Sequence, residues 1–153
     1  MKPKLLVSAC LLGTPCRYDG KSKKNEAVCA LAERFELIPV CPEVLGGLPT
    51  PRTPSERRGA CVVRKDGRDV TAEYRRGAEY ALETARREGV LAAVLKERSP
   101  SCGSGEIYDG TFTGALTAGD GVTAELLKAN GITVYGEGEQ SLTEFLCSVS
   151  HST

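Results

Sequence analysis

The sequence carries no net charge, because 20 basic side chains cancel 20 acidic ones. Without a net field a chain does not gather nucleic acid or an anionic membrane by charge. A small molecule is therefore the expected partner, and a large nucleic acid is not. No apolar run approaches the length of a membrane span. The opening MKPKLLVSACLLG is too short and too interrupted in its apolar stretch to read as a signal peptide. Histidine occurs once, as His151 in a polar tail, so imidazole is a poor prospect as a metal ligand. No CxxC pair occurs, which removes the usual zinc-ribbon and thioredoxin signatures. Neither a Walker loop nor GxGxxG is present, and no internal repeat is visible.

What the chain does have is cysteine. Seven cysteines, an odd number, in a chain without an export signal point to the reducing cytoplasm. Thiols there serve as ligands, nucleophiles or buried groups rather than as disulfide partners.

At 153 residues, 41% hydrophobic and 26% charged, the chain is long enough to bury one core. One domain is expected over residues 1–150, with a frayed tail at 151–153. The short apolar run Lys4 to Ala9 reads as a strand, as does Glu36 to Cys41. Between them NEAVCALAERF places Val28, Leu31, Ala32 and Phe35 on one helical face, with Asn25 as cap and Cys29 sharing the face. The segment from Pro42 to Ala60 carries four prolines and three glycines and is expected to be a long functional loop. CVVRKDGRDV predicts a small hairpin turning at Asp66-Gly67. Thr71 to Glu88 is the longest expected helix, capped by Thr71, stopped by Gly89, with Tyr74, Ala78, Ala81, Leu82 and Ala85 inward. Val90 to Leu95 then predicts a buried strand, and Asp109-Gly110 a second hairpin. Val122 to Ala129 predicts a helix, Ile132 to Tyr135 a fourth strand, and Ser141 to Ser148 a closing helix with Leu142, Phe145 and Leu146 inward and Cys147 near them. Strands alternating with helices predict an α/β fold of Rossmann-like type. About four parallel strands form the middle of three layers, with small hairpins added and helices on both faces.

Cys10, Cys41 and Cys102 each stand where a predicted parallel strand runs into a loop. Open α/β sheets bind ligands beyond the carboxyl ends of their strands, so these three thiols are placed to converge on one centre. Cys16 shares the loop of Cys10, and spacing leaves it as a fourth ligand, a resolving thiol or a structural residue. Cys29, Cys61 and Cys147 read as structural. Three thiolates with one position open suit either zinc carrying water or a 4Fe-4S cluster with one free iron, and all-sulfur ligation favours iron-sulfur.

The motifs SACLLG with CRYDG, CPE followed by GGLPTPR, and LKERSPSCG resemble those of the thiouracil desulfidase family. The likeness runs from Val7 to the last predicted helix. It implies an α/β domain whose 4Fe-4S cluster is held by Cys10, Cys41 and Cys102, and whose free iron binds the sulfur of a thiolated pyrimidine. The implied activity is non-redox hydrolysis of thiouracil, or its nucleotides, to uracil and sulfide.

Such a reaction needs a carboxylate near the metal to take a proton from water, and Glu43, two residues after Cys41, is the candidate base. Ser101, beside Cys102, is a candidate to orient substrate or water, or to cap its loop. Lys96, Arg17 and Asp19 are candidate substrate-binding residues. Arg52, Arg57 and Arg58 read as solvated loop arginines, and GGLP as a loop-shaping element. Two other classes compete: a sulfurtransferase or thiol hydrolase with Cys10 or Cys102 as covalent nucleophile, and a non-catalytic metal or redox sensor ligated by Cys16 as well.

Overall fold

The structure is a computed structural model that describes residues 2–151. Four parallel strands form its central sheet: β1 (Lys4–Ser8), β2 (Glu36–Val40), β5 (Ala92–Leu95) and β8 (Val134–Gly136), in the order β2-β1-β5-β8. Leu5 pairs with Leu37 on one side and Ala92 on the other, and Val94 pairs with Tyr135. Side chains alternate across the sheet, so each strand feeds two cores. Leu5, Val7, Ala92 and Val94 meet α1 (Glu26–Ala30) and α5 (Glu139–His151) through Val28, Leu31, Phe35, Leu142 and Phe145. Leu6, Ala93 and Leu95 meet α3 (Thr71–Glu88) and α4 (Val122–Ala129) through Leu82, Ala85, Ala124 and Leu127. This is the expected three-layer arrangement with helices on both faces.

The order of the strands fixes where a ligand belongs. The chain passes from β1 outward to β2, then crosses to the other side of β1 to form β5. The strand order therefore reverses between β1 and β5, and the crevice beyond their carboxyl ends is the switch point of the sheet.

Local readings fare unevenly. Asn25 caps α1 by accepting from the Val28 N–H at 3.0 Å. The helix then tightens into a 3-10 turn at Leu31–Glu33, which rotates Ala32 out to solvent against expectation. The stretch expected as a loop contains α2 (Pro42–Leu45) and β3 (Ser55–Arg58), and β3 pairs antiparallel with β4 (Cys61–Arg64). This adds an unexpected hairpin turning at Gly59-Ala60 beside the expected one. The expected hairpin turns at Asp66-Gly67, where the Arg64 N–H donates to the Arg68 carbonyl at 2.8 Å and Val63 bridges antiparallel to Asp69. Thr71 does not cap α3. Its Oγ1 accepts instead from the Val62 N–H at 2.8 Å and ties the helix start to β4. Gly89 closes α3 in the left-handed conformation, as expected. The second hairpin pairs β6 (Glu106–Tyr108) with β7 (Leu116–Ala118) around Asp109-Gly110. Cys147 is exposed on α5 rather than packed with Leu142 and Phe145. Of the expected tail, His151 closes α5, and residues 152 and 153 lie outside the described residues.

Candidate functional site

A cavity of about 500 Å³ opens at the switch point, and Cys10, Cys16, Cys41 and Cys102 all line it. That volume lies in the range of small-molecule sites. Three strand ends supply the walls. Cys10 sits in a 3-10 turn, Ala9–Leu12, that continues β1 and is closed by Gly13. Cys41 follows β2 at the start of α2, whose first residue is Pro42. Cys102 follows β5 on a turn built by Ser99, whose Oγ accepts from the N–H groups of Ser101 and Cys102 at 3.1 Å each. Ser99 was not singled out from the sequence. Its signal was available, since a serine three residues before a loop cysteine is well placed to organise that turn.

The thiols bond to one another. Cys16 hydrogen-bonds with both Cys10 and Cys41, and its carbonyl accepts from the Cys41 thiol at 3.8 Å. The hydrogen bond with Cys10 pushes the Cys16 thiol up, and burial adds to the rise. The Cys41 thiol is pushed far above its ordinary value by its bond with Cys16 and then by burial. Burial pushes Cys102 up to about 12, against the opposing hydrogen bonds of Ser8 and Ser101. Thiols held neutral are poor nucleophiles, which weighs against a covalent role for Cys102. They remain competent ligands, because a bound metal displaces the proton.

Glu43 lies in the same wall and is held tightly. Arg52 donates to its Oε2 from Nη2 at 2.6 Å and from Nε at 2.9 Å, with side chains only 7% and 15% exposed respectively. Tyr74, whose hydroxyl is pushed well up by burial and then by the Glu43 charge, bonds Glu43 and Ser55. Arg52 also donates to the carbonyls of Cys16 and Pro49 at 3.1 Å each, and to Thr50 Oγ1 at 3.1 Å. The reading of Arg52 as a solvated arginine is therefore corrected: it joins the Cys16 loop to the glutamate beside Cys41. Arg57 and Arg58 are engaged as well. Arg57 bonds the Asp120 carbonyl and Glu125, and Arg58 bonds the Gly110 carbonyl, so they brace the two hairpins.

The remaining candidates divide. Lys96 lines the cavity and pairs with Glu137 at 3.0 Å. Arg17 lines it too, over the Tyr18 ring at 5.6 Å, while Asp19 stays out of the wall, accepting from the Lys21 N–H and facing Arg17 at 3.8 Å. Ser101 is placed differently from its expectation as a substrate contact. It is 1% exposed and absent from the cavity wall, and its hydroxyl shares a 2.8 Å bond with Thr123 on α4. Ser8 joins Ser101 in bonding the Cys102 thiol and, unlike it, lines the cavity, where it also accepts from the Lys96 N–H at 2.8 Å. Arg98, also in the wall, holds a left-handed backbone at φ 66, a conformation that costs a side-chain-bearing residue about 1–2 kcal/mol and that clusters at functional sites.

Among the described residues no group of three or more His, Cys, Asp or Glu is gathered tightly enough for a single metal ion. The thiols that share this cavity are soft donors of the kind that hold iron-sulfur clusters, in which each thiolate takes its own iron.

An open parallel sheet with an all-thiol donor set at its switch point defines an α/β protein built for soft-metal and sulfur chemistry. The sequence signature of the family described as 2-thiouracil desulfurase matches residues 5–139, and the chain belongs to that family. It is 44% identical to a Bacillus subtilis (strain 168) protein described as uncharacterized protein YbbK, over 88% of this chain and 96% of that one. It is also similar to a solved structure described as the [4Fe-4S]-dependent thiouracil desulfidase TudS, at 51% identity and a TM-score of 0.90 over 97% of this chain and 99% of that one.

Proposed function

We propose that the protein removes sulfur from thiolated pyrimidines, thiouracil or its nucleotides, by non-redox hydrolysis at a 4Fe-4S cluster held by Cys10, Cys41 and Cys102. One observation carries the reading: three strand ends deliver three thiols and a clamped carboxylate to a single cavity. Support comes from the likeness to a structure described as a [4Fe-4S]-dependent thiouracil desulfidase. The donor set fits the group, being all sulfur. When bound, a cluster on three thiolates supplies an iron without a protein ligand, a soft Lewis acid matched to thiocarbonyl sulfur.

The chain's own residues do the rest. Arg52 grips Oε2 of Glu43 and so fixes the carboxylate that takes the proton of the attacking water. The water oxygen bonds to the ring carbon, the C–S bond breaks, and sulfur leaves with the bonding electrons and that proton as hydrosulfide, while the water's second proton passes to solvent as the new C–OH becomes the carbonyl. No electron is gained or lost. Lys96 and Arg17 meet the polar edge of the pyrimidine, Asp19 steadies Arg17, and Ser101 pins the Cys102 segment to α4. Seven free thiols suit a reducing compartment, so we place the protein in the cytoplasm.

The deciding experiment is iron and acid-labile sulfide analysis after oxygen-free reconstitution, with uracil and sulfide followed on adding 2-thiouracil. Wild type should hold about four irons per chain and turn over, and Cys102→Ala should do neither. Reconstituted wild type without iron would sink the proposal.

A further inference from the structure

The fourth strand of the sheet supplies no thiol, yet its end reaches the cavity through one ion pair. Glu137 follows β8, and its Oε2 accepts from Lys96 Nζ at 3.0 Å. Its Oε1 accepts from the Glu97 N–H at 2.6 Å, and the Glu97 carboxylate in turn accepts from the Gly138 N–H at 2.9 Å. These reciprocal bonds strap the end of β5 to the end of β8. The strap is close: a Cβ at Gly136 would stand 2.3 Å from the Glu97 side chain. Lys96 is fixed at both ends, with its N–H on Ser8 Oγ at 2.8 Å and its Nζ also on the Glu97 carbonyl at 3.1 Å. An ammonium has three donors, and these contacts use two.

We infer that Glu137 is the positioning residue for Lys96, and that the pair reads the ring carbonyl of the thiolated pyrimidine. This rests on the desulfidase reading above. Water adding at the thiocarbonyl carbon sends that bond's π electrons to sulfur and ends its conjugation with the adjoining ring nitrogen, whose lone pair is then delocalised more fully onto the ring carbonyl oxygen. A cation already fixed there bonds that oxygen more strongly in the transition state than in the ground state. A half-buried ammonium without a counter-charge is costly and free to swing on its four-carbon stem. Glu137 removes both problems without touching the substrate. The class favoured is therefore a cyclic thioamide conjugated to a carbonyl, over one that lacks it.

The test uses reconstituted wild type, E137Q, K96M and the double variant. Each is measured for iron content, thermal midpoint and 2-thiouracil turnover. Each is also measured for inhibition of that turnover by uracil, which carries the carbonyl, and by pyrimidine-2-thione, which does not. Glutamine keeps an acceptor for the Glu97 N–H, so E137Q should retain wild-type iron and midpoint. It should lose about 10-fold to 100-fold in turnover and about tenfold in uracil inhibition, with pyrimidine-2-thione inhibition unchanged. The double variant should be no worse than K96M. Wild-type turnover in E137Q overturns the inference, as does equal weakening of both inhibitors or a loss of iron, which would make Glu137 a scaffold residue only. A loaded wild type that leaves thiouracil intact overturns the desulfidase reading itself, and this inference with it.

Discussion

Gly77 offers a sharp test of how the site is held, because helix propensity and packing there pull in opposite directions. It lies in the interior of the 18-residue helix α3. In such a position alanine is ordinarily favoured by about 1 kcal/mol. Here a Cβ would stand 1.9 Å from the Pro42 carbonyl oxygen and 2.7 Å from its carbon. The facing glycine is equally tight, since a Cβ at Gly46 would stand 2.0 Å from the Glu73 carbonyl oxygen. The two glycines let α2 and α3 pack backbone to backbone. A carbon against a carbonyl oxygen needs about 3.3 Å, so Gly77→Ala must drive α2 away by roughly 1.4 Å. Pro42 lies between Cys41 and Glu43, so the displaced segment carries a proposed ligand and the proposed base together. Overpacking of this kind costs about 1–3 kcal/mol, which the propensity gain offsets only in part. Misplacing a catalytic group by an ångström costs far more in rate, about 100-fold. The variant should therefore melt near or slightly below wild type, while reconstituted iron per chain falls and thiouracil turnover falls at least 100-fold. The assays are thermal unfolding, iron analysis and product formation on the same preparation. A Gly77→Ala protein stabilised by about 1 kcal/mol with wild-type iron and turnover would refute the reasoning.

Two further outcomes follow from the same geometry. Cys16→Ala should keep both iron and activity after reconstitution, because Cys16 is a hydrogen-bond partner of Cys10 and Cys41 rather than a proposed ligand; loss of iron would favour the four-cysteine sensor. Arg52→Ala should lower stability by about 3–5 kcal/mol by leaving Glu43 without its buried partner, and Arg52→Lys should recover only part of this because it lacks the two-pronged donor; denaturant unfolding of both measures it.

Much of the fold was legible because its signals are local. The apolar runs of β1 and β5 and the spacing of Tyr74, Ala78, Ala81, Leu82 and Ala85 each announce their element without reference to the rest of the chain. The hidden elements are those set by distant partners. β3 reads SERR, which has no apolar face, and it becomes a strand only by pairing with β4. Arg52 follows the same logic. Its neighbours PTP and TP are loop material, and nothing within the segment reveals that Glu43 and the Cys16 carbonyl surround it. The strand-end cysteines were legible as a set because topology, rather than spacing, relates them. Ser101 was legible only in part: its hydroxyl does reach the neighbouring Cys102 thiol, but it also bonds Thr123 on α4 and stays out of the cavity wall, which adjacency along the chain does not reveal.

The network around Cys16 also bears on why a fourth cysteine lines a site proposed to need three. Buried polar groups need partners, and the thiols of Cys10 and Cys41 find theirs in Cys16, whose carbonyl is in turn anchored by Arg52. When Cys10 and Cys41 become ligands they give up protons, and those thiol hydrogen bonds must rearrange. Arg52 links that rearrangement to Glu43, because one guanidinium holds both the Cys16 carbonyl and the carboxylate beside Cys41. Loading the proposed cluster and setting the proposed base would then be coupled through a single buried side chain, whose planar guanidinium supplies the two-pronged grip on Glu43 that a lysine's point charge lacks.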